Sequence, residues 1–208
     1  MRDVLYTSVA VAFLLVGCSS PEKTEDPDVD APVEVPTEHK AETPVTTPID
    51  RKPTKEIIHS VEGQDETIKT DLVKGHDSLY SLYIDKERYI FETSEDKDVL
   101  RPVVDGPKGY PEVKMEFLMI DDKKTEEVKE DLKKDSIYAM EEEYVTSPVA
   151  AISLHGKEGV TPESEVTTMY LLEAGAGTLL ITETYFLEAQ EGHGARFLQM
   201  LETLELNE

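Results

Sequence analysis

Seven prolines, Pro21, Pro27, Pro32, Pro36, Pro44, Pro48 and Pro53, stand among Glu, Asp and Thr with almost no aromatic residue, and they decide where this chain can fold. A stretch so poor in apolar side chains cannot bury enough surface to offset the entropy of ordering its backbone. Residues 18–64 therefore read as a disordered tether. Apolar and aromatic residues recur with strand and helix periods only beyond it, so a globular domain is expected over residues 65–208, long enough for one sizeable core.

The formal net charge is -24. Residues 65–208 hold 33 acidic and 15 basic side chains, a net of -18, so most of that charge belongs to the domain. Such a surface excludes nucleic acid as a partner, because neutralising phosphates requires Lys and Arg gathered on one face. It also repels anionic lipid headgroups. Any membrane contact is then expected through a lipid rather than through the protein surface.

The amino terminus, MRDVLYTSVAVAFLLVGC, has the apolar run of a signal peptide, shorter than the ~20 residues that span a bilayer. Its only fixed positive side chain, Arg2, is offset by Asp3. The run ends at Leu15-Val16-Gly17-Cys18, which resembles the bacterial lipobox. The resemblance implies removal of residues 1–17 as a lipoprotein signal peptide and a diacylglyceryl group on Cys18. Two acyl chains anchor stably where one is marginal. Cys18 is the sole cysteine, so an intramolecular disulfide is ruled out. A coil of the tether's length spans roughly 40 Å, holding the domain near the extracytoplasmic face of the cell membrane but clear of it.

Within the domain, residues 79–84 and 88–92 read as a hairpin across Asp85-Lys86, and Val113, Met115, Phe117 and Met119 alternate with Lys114 and Glu116 as a half-buried strand. Thr125 is placed to cap a thin helix through Lys134, with Val128 and Leu132 facing inward. Residues 141–154 read as one strand interrupted at Ser147-Pro148. Residues 166–172 and 179–187 form a hairpin about Gly175-Ala176-Gly177. Phe197, Met200, Leu201 and Leu204 give residues 195–204 a helical stripe. Strands joined by hairpins with few helices predict an α+β fold, a mainly antiparallel sheet with packed helices.

The segment 80–91, Tyr110-Pro111-Glu112-Val113, and the ending Tyr185-Phe186-Leu187-Glu188-Ala189 through Glu191-Gly192-His193-Gly194-Ala195-Arg196-Phe197 resemble small lipoproteins of Bacillus-type bacteria that have no assigned activity. The order of elements is also similar to the PsbP/Mog1-like α/β/α sandwich. That resemblance implies a binding or accessory role, although a fold alone does not fix a function.

The densest polar chemistry is Glu188, Glu191, His193 and Arg196. Two carboxylates beside an imidazole are the donor types that ligate a divalent cation or act as acid and base. The same residues are also explained by local structure: Gly192 and Gly194 allow a sharp turn, Glu191 favours a helix start, and Arg196 pairs with a glutamate. His59, His76 and His155 lack ligand spacing and read as exposed or capping residues. Ser153-Leu154-His155-Gly156 lacks the leading Gly and the following helix of a nucleophile elbow. Asp121-Asp122 and the Asp96-Asp98 pair lack EF-hand spacing and read as solvated turns. Tyr80, Tyr83, Tyr89, Tyr110 and Tyr138 read as half-buried strand residues or as a recognition surface. Glu141-Glu142-Glu143 reads as a solvated edge that also suits a basic partner. No cofactor motif occurs.

Three functions follow as expectations. The first is a non-enzymatic, lipid-anchored extracytoplasmic domain that binds a partner, such as an envelope protein, at the bacterial cell envelope. The second is a cation-dependent enzyme with its site near Glu188, Glu191 and His193. The third is a cation-binding sensor at the same place.

Overall fold

The computed structural model describes residues 51–61 and 63–207, within the unit that spans Val45–Glu208. Cys18, the segment expected to be a signal peptide and most of the expected tether lie outside the described residues. Folding starts earlier than composition predicts. Strand β1, Thr54–Val61, pairs antiparallel with β2, Gln64–Lys74, from Thr54↔Asp71 to Val61↔Gln64. Ile57 and His59 alternate inward along β1, and Gly63 takes the left-handed φ of 74° that its tight turn needs. The boundary at residue 65 is thus corrected to no later than Arg51, whose guanidinium donates to the Ser81 and Thr203 carbonyls at 2.9 and 2.7 Å.

Strand β3, Tyr80–Ile84, is buried at all five positions. It therefore lies inside a sheet rather than at its rim, between β2 and the short carboxy-terminal β11, Glu205–Leu206. The expected hairpin with β4, Tyr89–Thr93, does not form, because β4 pairs with β5, Asp98–Pro102, in a second sheet. The chain changes sheets at Asp85. Its buried carboxylate accepts from the Glu87 N–H at 3.0 Å and from Arg88 Nη1 at 2.8 Å, while its carbonyl accepts from the Tyr89 N–H at 2.9 Å.

The second sheet continues with β6, Lys114–Ile120, where Met115 and Phe117 point inward as their alternation predicts. Helix α1, Thr125–Asp135, follows, with Lys124 rather than Thr125 at its N-cap position. The segment read as one interrupted strand is a hairpin of β7, Glu141–Val145, and β8, Ala151–Lys157, with the cis Ser147-Pro148 bond in its loop. Strands β9, Glu165–Ala174, and β10, Gly177–Phe186, pair along their whole length across Gly175-Ala176, as expected. The sheet order is β4-β5-β6-β10-β9-β8-β7, beside the four-stranded β1-β2-β3-β11, and every pairing is antiparallel.

A 3₁₀ turn, Leu187–Ala189, and a π-helical turn, Gln190–Gly194, lead from β10 into α2, Ala195–Leu201. Phe197, Met200 and Leu201 of α2 are fully buried and join Leu82, Ile84, Leu100, Met115 and Ile181 in one core that both sheets share. On the other face of the larger sheet, Val128 and Leu132 of α1 cover Leu154, Leu171 and Leu180. Hydrophobic burial on both faces fixes a mainly antiparallel α+β architecture. The layer opposite α1 contains a small sheet as well as a helix.

Candidate functional site

The four residues singled out by sequence are not brought together. Glu188 and Glu191 are exposed and border an open groove of about 570 Å³ with Gln190, Ala195 and Leu198. His193 turns inward instead. Its Nδ1 lies 2.9 Å from the Tyr89 hydroxyl, and its ring meets Tyr89 edge-on at 5.8 Å. Burial, and then the Arg196 charge, hold the imidazole below its ordinary pKa. Arg196 is not ion-paired with either glutamate among the described residues, and its Nε is buried without a partner there. Residues close in sequence are separated because successive positions of the 3₁₀ and π-helical turns point in different directions around the axis.

Other expectations are corrected likewise. His59 is 1% exposed, with both ring nitrogens unpartnered among the described residues, and burial chiefly lowers its pKa. His155 is half-buried with Nδ1 3.0 Å from Thr168 Oγ1, whereas His76 stands at a surface turn beside Asp77. Tyr80, Tyr83 and Tyr89 are core residues, each at most 5% exposed. Of the three consecutive glutamates on the edge strand β7, Glu142 is tied to Lys129 and Lys133 of α1. Among the described residues, no three His, Cys, Asp or Glu side chains converge so as to hold a metal ion.

The arrangement that sequence reading missed surrounds Asp98. The segment Asp-Val-Leu-Arg-Pro alternates inward and outward along β5, so Asp98 enters the core in phase with Leu100 and Pro102 and is only 1% exposed. Register places it opposite Phe117 of β6. Tyr80 comes from the other sheet, stacks on Phe117 with centroids 5.0 Å apart, and donates its hydroxyl to Asp98 Oδ2 at 2.5 Å. The His76 N–H donates to the same oxygen at 2.8 Å. Burial, followed by the hydrogen bond to Asp98 and its charge, drives the Tyr80 pKa far above its ordinary value, so the phenol remains a donor. Asp98 Oδ1 is buried and has no hydrogen-bond partner among the described residues.

A cleft of about 160 Å³ opens at this carboxylate. Asp77, Glu95, Asp96 and Asp121 stand around it, and its apolar lining includes Tyr80, Phe117, Met119 and Leu179. Lys97 also lines it, but its ammonium is paired with Glu116. The three non-glycine residues with positive φ among the described residues are Asp77, Ser78 and Asp122, at 50°, 58° and 56°. All of them lie in or next to the rim segments. Strained backbone gathers at functional sites because the surrounding structure must hold it there.

A larger recess, about 570 Å³, lies under the loop before β6. Three of its four cations are already matched, Lys97 and Lys114 by Glu116 and Arg101 by Glu92, and Lys108 has no ion pair among the described residues. The Asp98 cleft is therefore the better candidate, since it keeps unspent acceptor capacity.

No protein-family model matches this chain, and no curated protein matches it. Among solved structures, similarity is found to a crystal structure from Bacteroides thetaiotaomicron, with a TM-score of 0.39 and 12% identity. The match covers 66% of this chain and 48% of that one, so it spans about half of the other protein's length.

Proposed function

We propose that this chain is a lipid-anchored, extracytoplasmic binding module of a bacterial cell envelope. The observation that carries the anchoring half is Leu15-Val16-Gly17-Cys18 at the end of a short apolar run, followed by a proline-rich acidic stretch. Among the described residues, no helix is long and apolar enough to cross a membrane. The binding half draws on the cleft lined by Asp98, a buried carboxylate with one oxygen unpartnered among the described residues, and by apolar side chains that include Leu79 and Met119. The strongly acidic surface favours a positively charged partner at the envelope.

Expression of the full chain in a Bacillus-type host tests the anchor. The wild type is expected in the membrane fraction, with the mass of a chain that begins at Cys18 and carries a diacylglyceryl group. Cys18→Ala is expected to leave the lipid-bearing pool. A Cys18→Ala protein that partitions like the wild type, or an unprocessed wild-type mass, refutes the proposal.

A further inference from the structure

The geometry points to the Asp98 cleft as a receptor for the guanidinium or alkylammonium side chain of a basic polypeptide. Three independent features select that chemistry. The first is the unequal use of one carboxylate. Oδ2 takes two donors, from Tyr80 at 2.5 Å and His76 at 2.8 Å, while Oδ1 is buried without a partner among the described residues. A buried acceptor left bare is costly, and a charge-assisted donor is the strongest remedy.

The second feature is sign. Asp77, Glu95, Asp96 and Asp121 surround Asp98, and the neighbouring cation, Lys97, is already spent on Glu116. Low-dielectric walls focus such a field on whatever enters. The third is shape. The carboxylates are spread around the cleft rather than converging on a point, which disfavours a compact metal ion. The apolar lining is supplied by the half-buried Leu79 and Met119, together with the stacked rings of Tyr80 and Phe117 and with Leu179, each of these three at most 2% exposed. A long cationic side chain matches both halves, since its head donates to Oδ1 and the rim while its methylene stem lies along the apolar wall. The net of -18 over residues 65–208 extends the attraction beyond the cleft, which favours a basic segment over a single small amine.

This inference deepens the binding reading above and is independent of Cys18, so failure in solution leaves the membrane result standing, and the reverse also holds. The test uses the full ¹⁵N-labelled chain, titrated with free arginine, a short Arg/Lys peptide, its Gln-substituted counterpart, and calcium chloride. The Arg/Lys peptide is expected to bind saturably, to shift the His76 amide that donates to Asp98, and to weaken several-fold between 20 and 300 mM salt. The Gln peptide should not bind. Asp98→Asn should weaken binding at least tenfold, and Asp121→Asn, an exposed rim change that spares the core, about threefold. Arginine binding as tightly as the peptide, with the same amide shift, supports the cationic-head chemistry and assigns it to a free small molecule. Saturable calcium binding at these residues in place of the organic cations overturns the inference. So does peptide binding that leaves the His76 amide unmoved and survives both substitutions, or the absence of saturable binding by either cation.

Discussion

Glu183 should make this fold weaken as the pH rises through the neutral range, and Glu183→Gln should remove that weakness. The side chain projects from β10 into the shared core between Ile181 and Tyr185, is 1% exposed, and has Oε1 unpartnered among the described residues. Burial pushes its carboxyl from 4.5 up to about 8. In the folded chain the proton is therefore held up to about pH 8, whereas the unfolded chain releases it near pH 4.5. Across that window folding takes up a proton, and stability falls by about 1.4 kcal/mol per pH unit. The contribution is fully present below the unfolded pKa and is lost as the pH climbs to the folded one. Glu183→Gln keeps the shape and cannot ionise. Relative to the wild type it should gain about 2.5 kcal/mol between pH 5 and pH 7, equivalent to roughly 5–10 °C in Tm for a chain of this size. Urea unfolding of both proteins at pH 5, 6 and 7, followed by circular dichroism, measures the difference directly. Other titrating groups cancel in the comparison. Two pH profiles that run parallel within about 0.5 kcal/mol would refute the reasoning.

Three further outcomes follow from particular contacts. Arg51→Ala should cost about 2–3 kcal/mol in urea unfolding, because the guanidinium donates to Ser81 and Thr203 and lies 4.6 Å over the Tyr83 ring; a change below 0.5 kcal/mol would place the start of the fold after Arg51. Gly177→Ala should cost at least about 2 kcal/mol, since its Cβ would sit 2.3 Å from the Ile120 carbonyl oxygen and the β6–β10 pairing would have to open; an unchanged melting curve contradicts this. Tyr89→Phe should cost about 1 kcal/mol and raise the His193 pKa toward its ordinary value as water gains access to the ring, readable from the imidazole proton shifts; an unmoved titration means the hydroxyl does not help to shield it.

Sequence patterns exposed the local elements whose signal is carried by neighbouring residues. The alternation of Met115 and Phe117, the 166–172 and 179–187 hairpin, and the stripe of Phe197, Met200 and Leu201 appear where their periods place them, although the helix expected over 195–204 ends at Leu201, short of Leu204. Pairings between distant segments were less legible. Tyr80-Ser81-Leu82-Tyr83-Ile84 and Tyr89-Ile90-Phe91 sit a hairpin's length apart, yet Asp85 redirects the chain into another sheet through contacts that no period encodes. The nearly continuous apolar run of Tyr80, Leu82, Tyr83 and Ile84 was the available clue, because a strand covered on both faces and flanked on both edges needs more partners than one hairpin supplies. Strand β1 escaped for the opposite reason: Pro53 and the charges Lys55 and Glu56 disguise a rim strand as the end of the tether, and such residues are what edges carry.

The candidate site was hidden by the same limit. Read along the chain, Asp96 and Asp98 look like two carboxylates in one solvated turn, and Asp121 like another. Strand phase separates the first two: Asp96 stays in the turn, whereas Asp98 opens β5 on its buried face. The pairing of β5 with β6 then sets Asp98 across from Phe117, while Tyr80 supplies the hydroxyl from the other sheet. The cleft thus depends on two sheets meeting, and a residue's chemistry there is decided by which of its neighbours reach it. Glu188, Glu191 and His193 show the converse, three donors adjacent in sequence that a π-helical turn divides between solvent and the Tyr89 ring. Clustering in sequence therefore predicts a site in this fold less well than the phase of a single acidic residue within a strand.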